Sequence, residues 1–184
     1  PMGKISRKKL LKRSGKKPIE EGEALVKKPA IYLYPTKKQV IDVSLVIHGT
    51  ITTSIPAYKN GWHVIVDTDG KIEGRYDYLF YENTLNKIVL PKEGWIKKGD
   101  ELSPWFDVIL PKLGLNAKET EQFKVYWLAE LDRDSLYEIK LFSRSFLAEN
   151  MTLAIDPKPD TLIRVIFNFK VIEEEYQIKT PIII

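Results

Sequence analysis

Apolar and polar residues alternate through much of this chain with the period of a strand. In "VIDVSLVIHGTITTSIP", Ile41, Val43, Leu45 and Ile47 recur at every second position, the mark of a half-buried β-strand. His48-Gly49 interrupts the run, and both residue types tolerate the backbone of a tight turn. The pattern therefore predicts a two-residue hairpin returning through Ile51, Thr53 and Ile55. "GWHVIVDTDGKI" repeats the arrangement, with Trp62, Val64 and Val66 on one face and a turn at Asp69-Gly70. "RYDYLFYE" places Tyr76, Tyr78 and Phe80 on a common face. "YEIKLFS" and "TLIRVIFNFKVI" read as later strands. The last is expected to be one long strand, with Ile163, Val165, Phe167, Phe169 and Val171 facing one way and Arg164 on the mixed face.

A helical period replaces the strand period between residues 103 and 131. Ser103 before Pro104 is an N-cap and first-turn signature, and Gly114 is placed to close the helix after Leu113. Pro111 tightens or breaks its last turn. Asn116 with Glu119 three residues on predicts a capping box for a second helix. Phe123, Trp127 and Leu131 form its apolar stripe, broadened by Tyr126 and Leu128. The expected fold is α+β and mainly β: antiparallel sheets in a sandwich-like arrangement, with a two-helix insertion at about 103–131.

Charge divides the chain. Of 184 residues, the first 28 carry ten Lys/Arg against three Glu, and the rest carry 19 basic against 22 acidic residues. A basic arm over residues 1–28 is thus expected ahead of a single β-rich domain over 29–184. Residues 4–17 of such an arm can contact nucleic acid or an anionic surface; a solubilising terminus is the plainer reading. The chain has no cysteine, which removes disulfides, thiolate metal sites and cysteine nucleophiles. No run approaches the roughly 18 apolar residues of a membrane span, and no signal peptide is present in the sequence given. The apolar "TPIII" end is expected to pack on the body or on a neighbouring chain.

Motifs for chemistry are sparse. There is no glycine-rich phosphate loop, HExxH or GxSxG. Both histidines, His48 and His63, have strand or turn explanations, so no metal and no cofactor are expected. A carboxylate pair for glycan hydrolysis remains open. Aromatics are the more informative class, with nine Tyr, seven Phe and four Trp. Clusters at Tyr32 and Tyr34, at Tyr58 and Trp62, and at Tyr76 to Tyr81 can fill a core, stack on sugars or bases, or anchor a protein. In "KPAIYLYP", Tyr32 and Tyr34 share one face and Ile31 and Leu33 the other, which predicts a strand covered on both sides.

"KPAIYLYP", "YKNGW", "YDYLFYE", "FKVYWL" and "PKPDTLIRV", in that order, resemble a largely uncharacterised, mostly bacterial family marked by the segment KPxIYLYP. The resemblance spans roughly Lys28 to Val171. It implies no assigned activity. It singles out Tyr32, Tyr34, Trp62, Glu82, Trp127, Asp160 and Arg164 as motif positions. Many relatives look exported, often with a cysteine just before the KP; here that place is held by basic residues. A covered Arg164 needs a carboxylate or several carbonyls, and Glu82 or Asp160 is its expected ion-pair partner. With Tyr58 added, Tyr32, Tyr34, Trp62, Glu82, Asp160 and Arg164 are the candidate ligand-binding residues. A non-catalytic binding or structural module, with a protein or glycan partner, is the leading expectation. A glycan-directed hydrolase, or a nucleic-acid-associated or capsid-like protein, is the alternative.

Overall fold

The computed structural model describes residues 23–27, 29–86 and 89–183. Most of the basic arm, residues 1–22 and Lys28, lies outside them. The sheet system begins inside the segment read as arm, because β1 (Glu23–Val26) pairs antiparallel with β6 (Leu79–Asn86). The architecture is α+β and mainly β, built from antiparallel sheets with the helices inserted between strands.

In the largest sheet, β2 (Ala30–Tyr34) lies between β6 and β10 (Thr161–Ile163), while β4 (Gly49–Ile55) pairs on the far side of β6. A second sheet has β3 (Gln39–Ile47) between β5 (Trp62–Val66) and β9 (Met151–Asp156). These two sheets enclose the first core. Ile31 and Leu33 of β2, and Leu79, Tyr81 and Leu85 of β6, meet Ile41, Val43, Trp62, Val64 and Val66. Two-residue alternation within each strand turns them inward; Tyr76 and Tyr78, expected on a strand face with Phe80, lie before the start of β6.

The third sheet orders β7 (Trp95–Lys98), β8 (Leu136–Leu141) and β11 (Phe167–Ile172) with β8 central. Helices α1 (Leu102–Lys112) and α2 (Ala117–Glu130) pack on it and form a second core around Trp95, Phe106, Phe123, Trp127 and Phe167. A short helix, α3 (Arg144–Asn150), leads into β9. Among the described residues, no helix is long and apolar enough to cross a membrane.

Several local expectations change. His48-Gly49 is not a hairpin turn, since β3 and β4 belong to different sheets. The chain crosses there from one sheet to the other. The His48 N–H donates to the Asn150 carbonyl, and its own carbonyl accepts from Asn86 N–H. Gly49 is needed for close approach: a Cβ there would stand 1.7 Å from the Thr84 carbonyl oxygen. The strand expected from Thr161 to Ile172 is two strands, β10 and β11, in different sheets. Its alternation survives the break because the middle of the stretch is covered on both sides, although Leu162 is exposed. Val165, Phe167 and Phe169 face the second core, and Ile166 enters the first. Val171, placed on the buried face by the pattern, is exposed.

The first helix starts at Leu102 after a 3-10 turn, so Ser103 lies within its first turn and is not the cap. Its C-terminus follows expectation. Gly114 has φ +95°, its N–H donates to the Pro111 carbonyl, and Leu115 N–H reaches the Leu110 carbonyl, which is the Schellman closure. The capping box at α2 forms as read: Asn116 accepts from Glu119 N–H at 2.9 Å, and Glu119 Oε2 accepts from Asn116 N–H at 2.8 Å. Trp127 is 4% exposed against Phe169, but Leu128 is exposed. At the C-terminal end Ile183 packs against the second core, whereas Ile182 stays 80% exposed.

Candidate functional site

Helix α2 is buried on two adjoining stripes. Phe123 and Trp127 turn to the second core, and Thr120 is buried one turn before them. One residue behind each, Glu119, Gln122 and Tyr126 turn to the outer face of the largest sheet, as their bonds to Tyr34, Tyr32 and Glu82 show. Spacings of three and four residues keep each stripe on one side of the helix. The two-faced burial explains why α2 reads as weakly amphipathic although it is central.

The second stripe meets the sheet through tyrosines and carboxylates. Tyr34 donates its hydroxyl to Glu119 Oε1. Glu119 is 1% exposed, so its carboxylate, desolvated by burial, is held by the Tyr34 hydroxyl and the Asn116 N–H. Tyr32 makes a long contact of 3.5 Å with Gln122 Oε1, and Gln122 Nε2 donates to Asp77 Oδ2 at 3.0 Å. Tyr126 donates to Glu82 Oε1 at 2.9 Å. Asp77 Oδ1 also accepts from Lys118 at 2.7 Å and Lys71 at 2.9 Å.

These contacts fix the protonation states. Burial, followed by the repulsion of neighbouring Tyr78 and Glu119, pushes the Tyr32 hydroxyl well above its usual range. Burial and the bond to Glu119 do the same for Tyr34, and burial and the bond to Glu82 for Tyr126. The Lys118 and Lys71 ammonium groups hold Asp77 below the ordinary carboxylate range. At neutral pH the seam therefore consists of neutral phenols and an ionised Asp77.

At one end the seam opens into a groove of about 430 Å³. Tyr76, Tyr78, Phe80 and Tyr126 provide its rings, Ile55 an apolar edge, and Arg75, Asp77 and Gln122 its polar groups. The Arg75 guanidinium stands 5.2 Å from the centre of the Tyr76 ring, a cation–π distance. Tyr78 packs on Tyr32 at 5.3 Å, and Phe80 on Tyr126 at 6.1 Å. The groove wall is thus continuous with the seam behind it.

The candidates from the sequence separate accordingly. Tyr32, Tyr34 and Glu82 come together in the seam and support the groove from behind. Tyr58 and Trp62 lie elsewhere and hold the β4–β5 connection. The Tyr58 hydroxyl accepts from Leu45 N–H at 2.9 Å, its ring meets Trp62 edge-on at 4.7 Å, and Trp62 Nε1 donates to the Pro56 carbonyl. Asp160 is exposed on the β9–β10 connection. The expected ion pair of Arg164 with Glu82 or Asp160 is replaced by neutral acceptors. Arg164 Nη1 donates to the Met151 carbonyl at 2.7 Å and Nη2 to the Tyr81 hydroxyl at 2.8 Å. The two ends of "IRVIF" are drawn into different sheets, which sets the guanidinium beside β9 and Tyr81.

Arg75, Asp77 and Gln122 were not among the candidates; nothing in their local sequence marks them. The ring cluster at 76–81 and the capping Glu119 were the signals that pointed this way. His63 pairs with Asp42 at 2.6 Å on an exposed face. Among the described residues, no group of three or more His, Asp or Glu is arranged to hold a metal ion. Set against protein-family models, curated proteins and solved structures, the chain matches none.

Proposed function

We propose that the chain is a non-catalytic binding module and that the groove of Tyr76, Tyr78, Phe80 and Tyr126 seats a sugar ring of a glycan. The observation that carries the reading is the composition of that groove. Aromatic rings offer stacking faces, and Asp77, Gln122 and Arg75 at the same rim accept from or donate to ring hydroxyls. Its volume of about 430 Å³ lies in the usual range for small-ligand sites. The seam behind it holds the rings in place, which limits the ordering cost on binding.

The state of the carboxylates favours binding over glycan hydrolysis. Glycoside cleavage needs one carboxyl kept protonated as general acid. Asp77, the carboxylate in the groove, is instead stabilised as an anion by Lys118 and Lys71. Glu82 and Glu119 serve as acceptors for Tyr126 and Tyr34. The nucleic-acid-associated alternative rests on residues 4–17, which lie outside the described residues.

Titration of the full chain with soluble oligosaccharides of glucose, N-acetylglucosamine and xylose tests the reading. One class is expected to bind saturably without release of reducing ends. Tyr76→Ala is expected to abolish that binding and, because the ring also packs against the first core, to lower the urea midpoint as well. Arg75→Ala, at an exposed position, is expected to weaken binding with the midpoint nearly unchanged. Absence of binding across the panel refutes the glycan assignment. New reducing ends that disappear with Asp77→Asn refute the non-catalytic one.

A further inference from the structure

A larger groove, of about 1050 Å³, lies away from the aromatic one, between the end of α1, helix α3, and strands β9 and β10. Its walls are mainly aliphatic, with Leu113, Leu141, Leu147, Leu153, Ile163 and Val165 among them. Among the described residues its cations are Lys112, Arg144 and Arg164, its uncharged polar side chains are Ser143, Thr152 and Thr161, and no Asp, Glu, Asn or Gln lines it. Lys112 and Arg144 are exposed. Among the described residues, Arg144 and Lys112 have no carboxylate partner.

Arg164 is the unusual member. It is part-buried, and both of its hydrogen bonds go to uncharged oxygens, the Met151 carbonyl and the Tyr81 hydroxyl. Its Nε is buried and has no partner. A guanidinium withdrawn from water is ordinarily met by a carboxylate, because neutral acceptors offset only part of the desolvation. Among the described residues no carboxylate pairs with it, and the side chain lines a groove whose other charged groups there are also positive.

We propose that this groove binds an anionic amphiphile, an acyl chain ending in a carboxylate, whose head group supplies the counter-charge of Arg164. Aliphatic walls match an acyl chain, which offers methylenes and no polar groups along its length. A peptide's many backbone amides would find only the hydroxyls of Ser143, Thr152 and Thr161 as uncharged polar side-chain partners among the described residues. Lys112 and Arg144 at the solvent side add attraction for the head group, and the salt dependence of binding follows from their exposure. The site is independent of the aromatic groove and shares none of its residues.

Calorimetric titration of the full chain with dodecanoate, below its micellar concentration, is the test. Dodecyl maltoside serves as the neutral amphiphile and acetate as the head group alone. Dodecanoate is expected to bind at one per chain, and acetate not to bind. The surface variant Lys112→Ala/Arg144→Ala is expected to weaken dodecanoate at least about tenfold and leave dodecyl maltoside unchanged. Arg164→Met should abolish the preference for the anion, and if that variant fails to fold the surface pair decides alone. Failure of dodecanoate to bind overturns the proposal. So does equal affinity for dodecanoate in the wild type and the surface pair, or capture of an acidic apolar peptide but not dodecanoate.

Discussion

Replacing Tyr34 by Phe removes one oxygen and tests the seam at its most buried acceptor. Glu119 is 1% exposed, and two donors hold its carboxylate: the Tyr34 hydroxyl on Oε1 and the Asn116 N–H on Oε2. Tyr34→Phe leaves the second bond and strips the first from an acceptor that water does not readily reach. A hydrogen bond to a charged group is worth about 1.5–3 kcal/mol, more than the roughly 1 kcal/mol of a neutral pair. Burial of Glu119 puts the expected loss at about 2 kcal/mol, or a fall of about 4–8 °C in Tm for a domain of this size. Tyr34→Ala costs about 3–5 kcal/mol because the ring packing goes as well. The ring lies so close to the Asp67–Gly70 turn that a Cβ on Gly70 would stand 2.5 Å from Tyr34 Cε1. Urea unfolding of Tyr34→Phe, Glu119→Gln and the double variant gives the coupling directly, expected at about 1–2 kcal/mol. A loss under about 0.5 kcal/mol for Tyr34→Phe, with no coupling to Glu119→Gln, would refute the seam as a source of stability.

Three further outcomes follow from the same geometry. Trp127→Ala should cost about 3–5 kcal/mol, and a variant retaining only Trp127 should resist acrylamide quenching; ready quenching would remove it from the core. Gly49→Ala should cost about 3 kcal/mol or more, because a Cβ would meet the backbone of β6 at 1.7 Å, where yielding means moving a paired strand. A circular dichroism melt within 2 °C of wild type, an interval of about 0.5–1 kcal/mol at this size, would show that the crossing relaxes freely. Stability should fall at high pH. Tyr32, Tyr34 and Tyr126 keep their protons in the folded state beyond the ordinary value of 10.0, so the unfolded chain releases protons first. Their contribution is complete below about pH 10 and is lost as pH rises beyond it. Urea midpoints from pH 8 to 11 should therefore decline, and decline less in Tyr32→Phe/Tyr34→Phe/Tyr126→Phe; an equally steep decline in that variant would contradict the assignment.

Alternation made most strands legible, and cap chemistry made the junction of the two helices legible at Gly114 and Asn116, while the start of α1 was misplaced at Ser103. Neither carries information about which sheet a strand joins. His48-Gly49 has the local look of a hairpin, and only the nearness of Thr84 reveals a crossing. The stretch from Thr161 to Ile172 keeps its period through a change of sheet, since a residue covered on either side looks the same in sequence. Tyr32 and Tyr34 were visible as a pair with one face, whereas Asp77 and Gln122 reach the seam from segments 45 residues apart. Glu119 was legible as a cap because its partner is three residues away. Its bond to Tyr34 spans 85 positions. Arg164 was legible as a covered cation, but its acceptors were not, because they are a backbone carbonyl and a phenol that carry no charge signature.

The largest sheet joins strands from opposite ends of the chain, with β2 lying between β6 and β10 and Tyr34 opposite Thr161. On a ribosome this has a cost in time. At 5–20 residues per second, roughly 6–25 s separate the emergence of Tyr34 from that of Thr161. β3 likewise waits for β9, the only neighbour on its second edge among the described residues. The helix pair and the β7–β8 pairing need only nearby sequence and can form while the earlier strands stay open. Nascent chains of this protein are thus exposed longest along β2 and β3, whose inward-facing Ile31, Leu33, Ile41 and Val43 belong to the first core. A holdase that recognises extended apolar segments would meet its best substrate there, and its binding window would close with the synthesis of β10.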